Sequence, residues 1–364
     1  MATTFKTLLN NDVTSTRTLL HEAIPLTGTI VSGTYEPDEN IKNYAHGMFQ
    51  SVYDYPYLSS SANHIFDLTV GYSSDSVLSS STATQNAKKI NIYNQMAQTL
   101  VGYDDSGNIR KFDKDGNFAT TTDKMDSVFF VNFARLLTKD EIKKGSFQLS
   151  LNVSGAYDEP QHDITLYDTN AQNDYRVNSP AGEYGVLYID TPSGTPEADH
   201  AAGLIYYQAG VAVITSSVWF FTNTGEYDNS PTTGSQYFGS RVAAPQNDVF
   251  ENFYDALVTG SISGSCNGIR NRIKNVQFNN TTELNSTIYF CRANHNEFNY
   301  SSNPTYVNSS KIQVKETSLD NPVSYITTVG LYSADNELLA VAKLSEPLKK
   351  DPTNELTLRV RLDY

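Results

Sequence analysis

The feature that most constrains the fold is a series of short segments that are either apolar or alternate between apolar and polar residues. Clusters of Gly, Pro and Asn separate these segments. The segments are Ser127–Phe133, Phe147–Val153, Asp163–Tyr167, Tyr184–Ile189 and Gly203–Trp219. This pattern and spacing are typical of antiparallel β-sandwiches and barrels. The 24 tyrosines and 17 phenylalanines agree, because aromatic side chains suit a half-buried pleated surface. The sequence therefore predicts a mainly β fold with α insertions, built on an antiparallel sandwich or barrel-like body.

Helical spacing interrupts this pattern in four places. The first 25 residues are predicted to form a helical arm, since Asp12 or Ser15 can cap a helix there and Pro25 would stop it. The other predicted helices are Ala83–Val101, the short insertion Thr138–Glu141, and Gln246–Thr259.

With 364 residues the chain is long enough for two to three domains or for one large elaborated β domain. We divide it into an N-terminal helical arm (1–25), a mixed α/β region (26–120), a β-rich core that contains the helix 246–259 (121–320), and a C-terminal antiparallel β-meander (321–364).

The charge balance disfavours nucleic acid as a partner. The net charge is −14, and such a chain repels a phosphate backbone. The densest basic run places Arg270, Arg272 and Lys274 on alternate residues. It fits either a small phosphate-contacting strand or an ordinary solvent face, and we favour the solvent face.

The two cysteines, Cys266 and Cys291, are expected to be free thiols. No hydrophobic leader follows Met1, which indicates synthesis in a reducing host cytoplasm. No apolar run approaches the roughly 18 residues of a membrane helix, so no membrane partner is expected.

A calcium loop is one interpretation of the segment that contains Asp113, Asp115 and Asn117, because these residues alternate as calcium ligands do. However, Gly116 is out of register with the glycine that such a loop needs, and no glutamate closes it. We therefore predict a hairpin at this place, and no metal or cofactor.

One motif resembles a catalytic nucleophile. Gly264–Gly268 has the G-x-C-x-G form of a nucleophile elbow, which needs a strand before Cys266 and a helix after it. The predicted order is inverted, and no phosphate-binding or dinucleotide motif is present. The sequence predicts a protein that is not an enzyme.

The C-terminal region carries a family resemblance in VQFNNTTELNSTIYFCRANHNEFNYSSNPTYV and SYITTVGLYSADNELLAVAKLSEPLKKDPTNELTLRVRLDY. These strings resemble structural proteins of T4-like, myovirus-type tailed phages, especially marine and cyanobacterial ones. The stretches HIFDLTVGYSS and NAKKINIYNQMAQTLVG are similar to the same family. The resemblance implies a virion protein, placed in the tail baseplate, that contacts other baseplate and tail proteins and is a homo-oligomer or is present in several copies.

The last three segments are predicted to pair as a meander with an apolar and a polar face. Arg359 and Arg361 would share the polar face of the last strand, and Tyr325 would lie on the first. The pattern fits an ordinary sheet edge, which we favour, or a subunit contact made by Arg359, Arg361 and Tyr325.

Two other functions remain open at this point. Aromatic and Asn-rich loops would suit a host-recognition or fibre-attachment module that binds surface glycans. A tail-associated cell-wall hydrolase that uses Cys266 is less favoured.

Overall fold

The computed structural model describes residues 5–31, 39–118, 122–152, 163–189, 201–219, 253–301, 307–308, 311–312, 319 and 321–364. Contacts divide the chain into two compact units. Unit 1 comprises Met1–Leu19 and Glu283–Tyr364, and unit 2 comprises Leu20–Thr282. These units cut across the four segments expected from the sequence.

The described elements are mostly strands. The strands are β1 (Val13–Thr27), β2 (Ile41–Asn43), β3 (Gln50–Tyr53), β4 (His64–Tyr72), β5 (Ser127–Phe133), β6 (Glu141–Ile142), β7 (Gln148–Asn152), β8 (Asp163–Tyr167), β9 (Arg176–Ser179), β10 (Gly182–Ile189), β11 (Ala201–Tyr206), β12 (Val211–Thr215), β13 (Ile273–Ala293), β14 (Val307–Asn308), β15 (Lys311–Ile312), β16 (Ser324–Tyr332), β17 (Leu338–Lys350) and β18 (Leu356–Asp363). The helices are α1 (Gly28–Val31), α2 (Asn86–Leu100), α3 (Arg135–Thr138), α4 (Phe253–Val258) and α5 (Ile262–Arg270).

The sheet of unit 2 follows the order β13–β7–β8–β10–β11–β12–β5–β4–β3–β2, with β6 beside β13 and β9 beside β10. The strand pairs along this path are antiparallel. The prediction of a mainly β, largely antiparallel fold with α insertions is therefore confirmed.

A single apolar core stabilises unit 2. Every buried member of its hydrophobic cluster lies between Leu26 and Phe278. β5 lies between β4 and β12 and buries all its residues except Asn132. Burial on both faces explains why β5 reads as a nearly continuous apolar run.

α2 confirms the predicted helix over 83–101 and lies against β4. Its hydrogen bonds end at Gly102, whose φ of +86° is the left-handed conformation that glycine adopts freely. A Cβ on Gly71 of β4 would be 2.9 Å from the carbonyl oxygen of Lys89, so the helix and strand backbones touch there.

The predicted N-terminal helix is wrong: Val13–Thr27 form the strand β1. Val13, Thr14, Thr16 and Thr18 are β-branched and favour extended backbone. Pro25 is tolerated because β1 neighbours only β13 among the described strands and so has an open edge.

Two other predicted helices have different bounds in the structure. α3 ends where the predicted insertion Thr138–Glu141 begins, and Glu141 starts β6 instead. The predicted helix over 246–259 lies partly outside the described residues, within which it is α4.

The predicted C-terminal meander is also corrected. β16 and β17 do form a hairpin, but β18 does not join it. Instead β18 pairs with β13 over an unbroken register from Ser286↔Asp363 to Ala293↔Leu356. The long strand β13, which the sequence showed as two shorter segments, offers a more continuous pairing edge than β17 does.

No helix in the described part of the chain is long and apolar enough to cross a membrane.

Candidate functional site

Unit 1 leaves most of its apolar side chains in contact with solvent. Its buried apolar residues, among those the structure describes, are Ile288, Ala293 and Val360. Its exposed large apolar residues are Phe5, Leu9, Val13, Leu19, Leu284, Phe298, Tyr300, Leu319, Tyr325, Tyr332, Leu338, Leu339, Val341 and Tyr364. Exposed apolar side chains mark an interaction site where they lie together in one patch.

Six of these side chains line a groove of about 890 Å³ within unit 1, namely Phe5, Phe298, Tyr300, Tyr325, Tyr332 and Leu339. Its walls are residues 5–8, the last residues of β13, and the whole of β16. Leu358 and Leu362, from the apolar face of β18, also line it. The groove is thus lined by Tyr, Phe and Leu side chains together with Ser and Thr hydroxyls, and few of its groups could perform acid–base chemistry.

The N-terminal segment is fixed along the groove by two side chains. The ring of Phe5 lies 4.7 Å from the ring of Tyr332 between their centroids. The ammonium of Lys6 donates to the carboxylate of Glu297 at 2.5 Å, and this hydrogen bond lowers the pKa of Glu297. The chain therefore brings residues nearly 300 positions apart to one surface.

The base of the β16–β17 hairpin is held by Lys350, whose side chain is fully buried. Its ammonium donates to Asn299 Oδ1 at 2.7 Å, to the carbonyl of Asp351 at 2.9 Å and to that of His295 at 3.3 Å. The hydroxyl of Ser324 donates to the carbonyl of Phe298 in the same region. These bonds position the turn that carries Phe298 and Tyr300.

We expect Lys350→Met to loosen this turn. Losing the charged hydrogen bonds should cost about 1.5–3 kcal/mol locally, so amide hydrogen exchange over residues 294–301 should speed up by about 10-fold or more. Lys349→Met is the control, because the Lys349 side chain is exposed and its ammonium forms an ion pair with Asp351 at 3.3 Å. Unchanged exchange in Lys350→Met would show that Lys350 does not hold the turn.

β17 has a large bulge opposite Thr327. Ile326 pairs with Leu348 and Thr328 pairs with Lys343, so Leu344–Pro347 have no partners on β16. Ser345, Glu346 and Pro347 are exposed. A bulge bends a strand and ends regular pairing, and it gives this hairpin a local projection.

The three residues predicted as a subunit contact all lie in unit 1, but they differ in what they touch. Tyr325 is 54% exposed and lines the groove, and Arg359 is exposed on the polar face of β18. Arg361 donates to Asp363 at 2.6 Å and to Ser286 at 3.0 Å. The first two side chains are open to solvent, whereas Arg361 braces β18 against β13.

Cys291 is the thiol that lines the groove, and it is partly buried. Desolvation, together with the carboxylate of Asp12, raises the pKa of Cys291. Its thiol is therefore mainly protonated near neutral pH, which favours a packing role over a nucleophilic one.

Cys266 does not form a nucleophile elbow. Gly264–Gly268 lie within α5, and the fully buried thiol of Cys266 donates to the carbonyl of Leu68 at 3.3 Å. Burial raises the pKa of Cys266. α5 was missed because its glycines are poor helix formers; its sequence signal is Ser261, whose hydroxyl accepts from the backbone of Gly264 at 3.1 Å.

The basic run at 270–274 is not the solvent face that the sequence favoured. Arg270 and Arg272 are 1% and 3% exposed. Arg270 donates to Gln50 Oε1 at 3.2 Å, and Arg272 lies over the ring of Trp219. Both guanidinium groups therefore brace the interior of unit 2, and Lys274 is the member of the run that meets solvent.

The segment that alternates like a calcium loop has an ammonium beside its first carboxylate. Lys124 Nζ lies 2.8 Å from the buried carboxylate of Asp113. Desolvation raises the pKa of Asp113 to about 6. The backbone of Asn117 donates to Asp115 at 2.8 Å, as in a turn that side chains stabilise.

Comparisons of the sequence with protein-family models and with curated proteins, and of the fold with solved structures, found no match.

Proposed function

We propose that this chain is a structural subunit of a tailed-phage virion, placed in the tail baseplate, that acts through contacts with other tail proteins. The observation that carries the proposal is the apolar groove of unit 1, together with the exposed strands around it. The groove indicates a protein partner, and the resemblance of the C-terminal strings to virion structural proteins indicates that the assembly is a phage virion.

The physical argument starts from what a folded unit must bury. A domain of about 100 residues buries roughly 60–65% of the surface of its unfolded chain. Unit 1 instead has three buried apolar residues among those described. Because burial of apolar surface is the main favourable term in folding, a protein partner that covers this surface would stabilise unit 1.

The kind of surface supports this role. The groove offers Tyr, Phe and Leu side chains, and aromatic residues are enriched at protein–protein interfaces.

Mass spectrometry of purified virions tests the proposal. We expect the chain among the tail proteins, at a stoichiometry above one copy per particle. Its absence from mature virions, under conditions that recover the other tail proteins, would contradict the structural role.

A specific cluster in unit 2 favours glycan binding as the second candidate. The rings of Tyr44 and His46 stack at 5.1 Å, and Phe49 lies 5.0 Å from His46. Lys42 Nζ lies 4.7 Å over the ring of Tyr44. Aromatic surfaces with a polar rim bind the apolar faces of sugars.

A glycan array with the whole chain separates the two functions. Glycan binding that His46→Ala abolishes, and that Tyr103→Ala leaves intact, would favour host recognition; Tyr103 is exposed and outside the cluster. A featureless array combined with binding to baseplate neighbours would favour the structural role.

A further inference from the structure

We propose that the partner of the unit 1 groove is unit 1 of a second copy of this chain, so that the protein self-associates through β16, β17 and the groove. The inference rests on the proposed structural function and names the partner within it. It is testable on the purified chain alone.

The exposed apolar area at the groove is at the upper end of what a monomer shows. Six large apolar or aromatic residues line the groove with exposed fractions from 41% to 69%. At about 200 Å² for a whole side chain, they leave on the order of 600 Å². The largest apolar patch of a typical monomer is about 300–600 Å², and a standard interface adds a polar rim to reach about 800 Å² per partner.

The β16–β17 hairpin has open edges within the part of unit 1 that the structure describes. Among the described residues, β16 and β17 pair only with each other, so each has an unpaired edge. Their only buried residues are Ser324 and Lys350, at the base. A two-stranded hairpin is marginally stable by itself, and an open apolar edge invites a further strand. A second copy offers the same apolar strands and the same open edges.

Charge distribution favours a second copy over an oppositely charged partner. Unit 1 contains 10 Lys and Arg against 11 Asp and Glu, which gives a net charge of −1. Unit 2 contains 16 basic and 29 acidic residues, which gives −13. Nearly all the net charge thus lies outside the proposed interface, and two copies of unit 1 approach each other without a repulsive net charge.

The experiment measures the mass of the whole chain in solution, by light scattering on a sizing column, from about 1 to 100 μM. We expect a mass of at least twice 40.3 kDa. Leu339→Glu should weaken association by about 100-fold, because Leu339 lines the groove at 69% exposure and the charge would be buried at the interface. Leu58→Glu is the matched control in unit 2, where Leu58 is 86% exposed, and it should leave the mass unchanged.

Cys291 provides a second readout at the groove itself. A neutral alkylating reagent should modify Cys291 and spare the fully buried Cys266. We expect the rate at Cys291 to fall as association proceeds and to be restored in Leu339→Glu.

A monomeric wild-type chain at 100 μM would overturn the inference, as would an oligomer that Leu339→Glu does not weaken. A chain that is present in virions but monomeric in solution would overturn self-association alone. A chain that self-associates but is absent from virions would overturn only the proposed function.

Discussion

Replacing Lys89 by methionine is expected to lower the free energy of unfolding of unit 2 by about 3 kcal/mol or more. Lys89 lies on α2 with no exposed surface. Its ammonium donates to the carbonyl oxygens of Leu257, Thr84 and Gly260 at 2.6, 2.8 and 2.8 Å. Methionine fills a similar volume but leaves these carbonyls without this donor, and a buried unsatisfied acceptor costs about 1–3 kcal/mol.

The position of Lys89 explains why its effect should spread. Leu257 belongs to the end of α4 and Gly260 to the turn before α5, so one ammonium joins α2 to both. Burial lowers the pKa of Lys89 to about 8, which still leaves the side chain mainly protonated at pH 7. The cation is therefore present to satisfy the helix C-terminus of α4, where a positive charge is favourable.

Thermal and urea unfolding of the full chain, followed by the near-ultraviolet signal of Trp219, measures this effect. Lys88→Met is the matched control, since Lys88 is exposed on the same helix and makes one hydrogen bond, to the carbonyl of His46 at 2.9 Å. We expect a change within about 0.5 kcal/mol for the control. Equal stabilities of the two variants would refute the role assigned to Lys89.

The second large effect is expected for Gly203→Ala in β11, which pairs with Ile214 of β12. A Cβ at this position would lie 2.3 Å from the carbonyl oxygen of Val213 and 3.1 Å from Cα of Ile214. Both are backbone atoms in the middle of a buried sheet, so neither moves away as a flexible side chain would. We expect a loss of about 3 kcal/mol, at the upper end of the cost of overpacking.

Gly107→Ala is a matched control in a turn of unit 2. Nothing lies within 4 Å of its Cβ, and its φ of +84° leaves only the strain of a left-handed alanine, about 1 kcal/mol. Urea unfolding should rank Gly203→Ala well below Gly107→Ala in stability. The reverse order would mean that β11 and β12 can move apart enough to accept a Cβ at Gly203, which would contradict the predicted clash.

The elements that the sequence predicts best are those with a strong local pattern. β5 and β8 have the bounds that the apolar and alternating runs indicate, because side-chain period and burial agree there. α2 was found from its helical spacing and from Gly102 just beyond its end. Local chemistry alone is sufficient for these elements.

The elements that the sequence misses depend on distant partners. β1 resembled a helix because Asp12, Ser15 and Pro25 fit helix boundaries, yet Asp12 forms an ion pair with Arg292 at 2.7 Å and β1 neighbours β13. β18 alternates between apolar and polar residues as expected. Its own residues do not indicate that it pairs with β13 and not with β17.

The same limit applies to the candidate site. Alternation predicts Arg359 on the polar face of the last strand, whereas the groove requires Phe5 and Tyr332 to meet although they are far apart in the chain. The burial of Lys89 and Lys350 could not be predicted, because both ammonium groups bind backbone carbonyl oxygens. Every residue has such an oxygen, so the sequence gives no signal for these contacts.

A reconstruction of intact virions by electron microscopy tests the central claim most directly, because it shows both where the chain is and what covers unit 1. We predict density for this fold in the tail baseplate, with β16, β17 and the groove buried against another protein subunit. Density that places the chain in the tail but leaves the groove open to solvent, or particles that lack the chain, would contradict the claim.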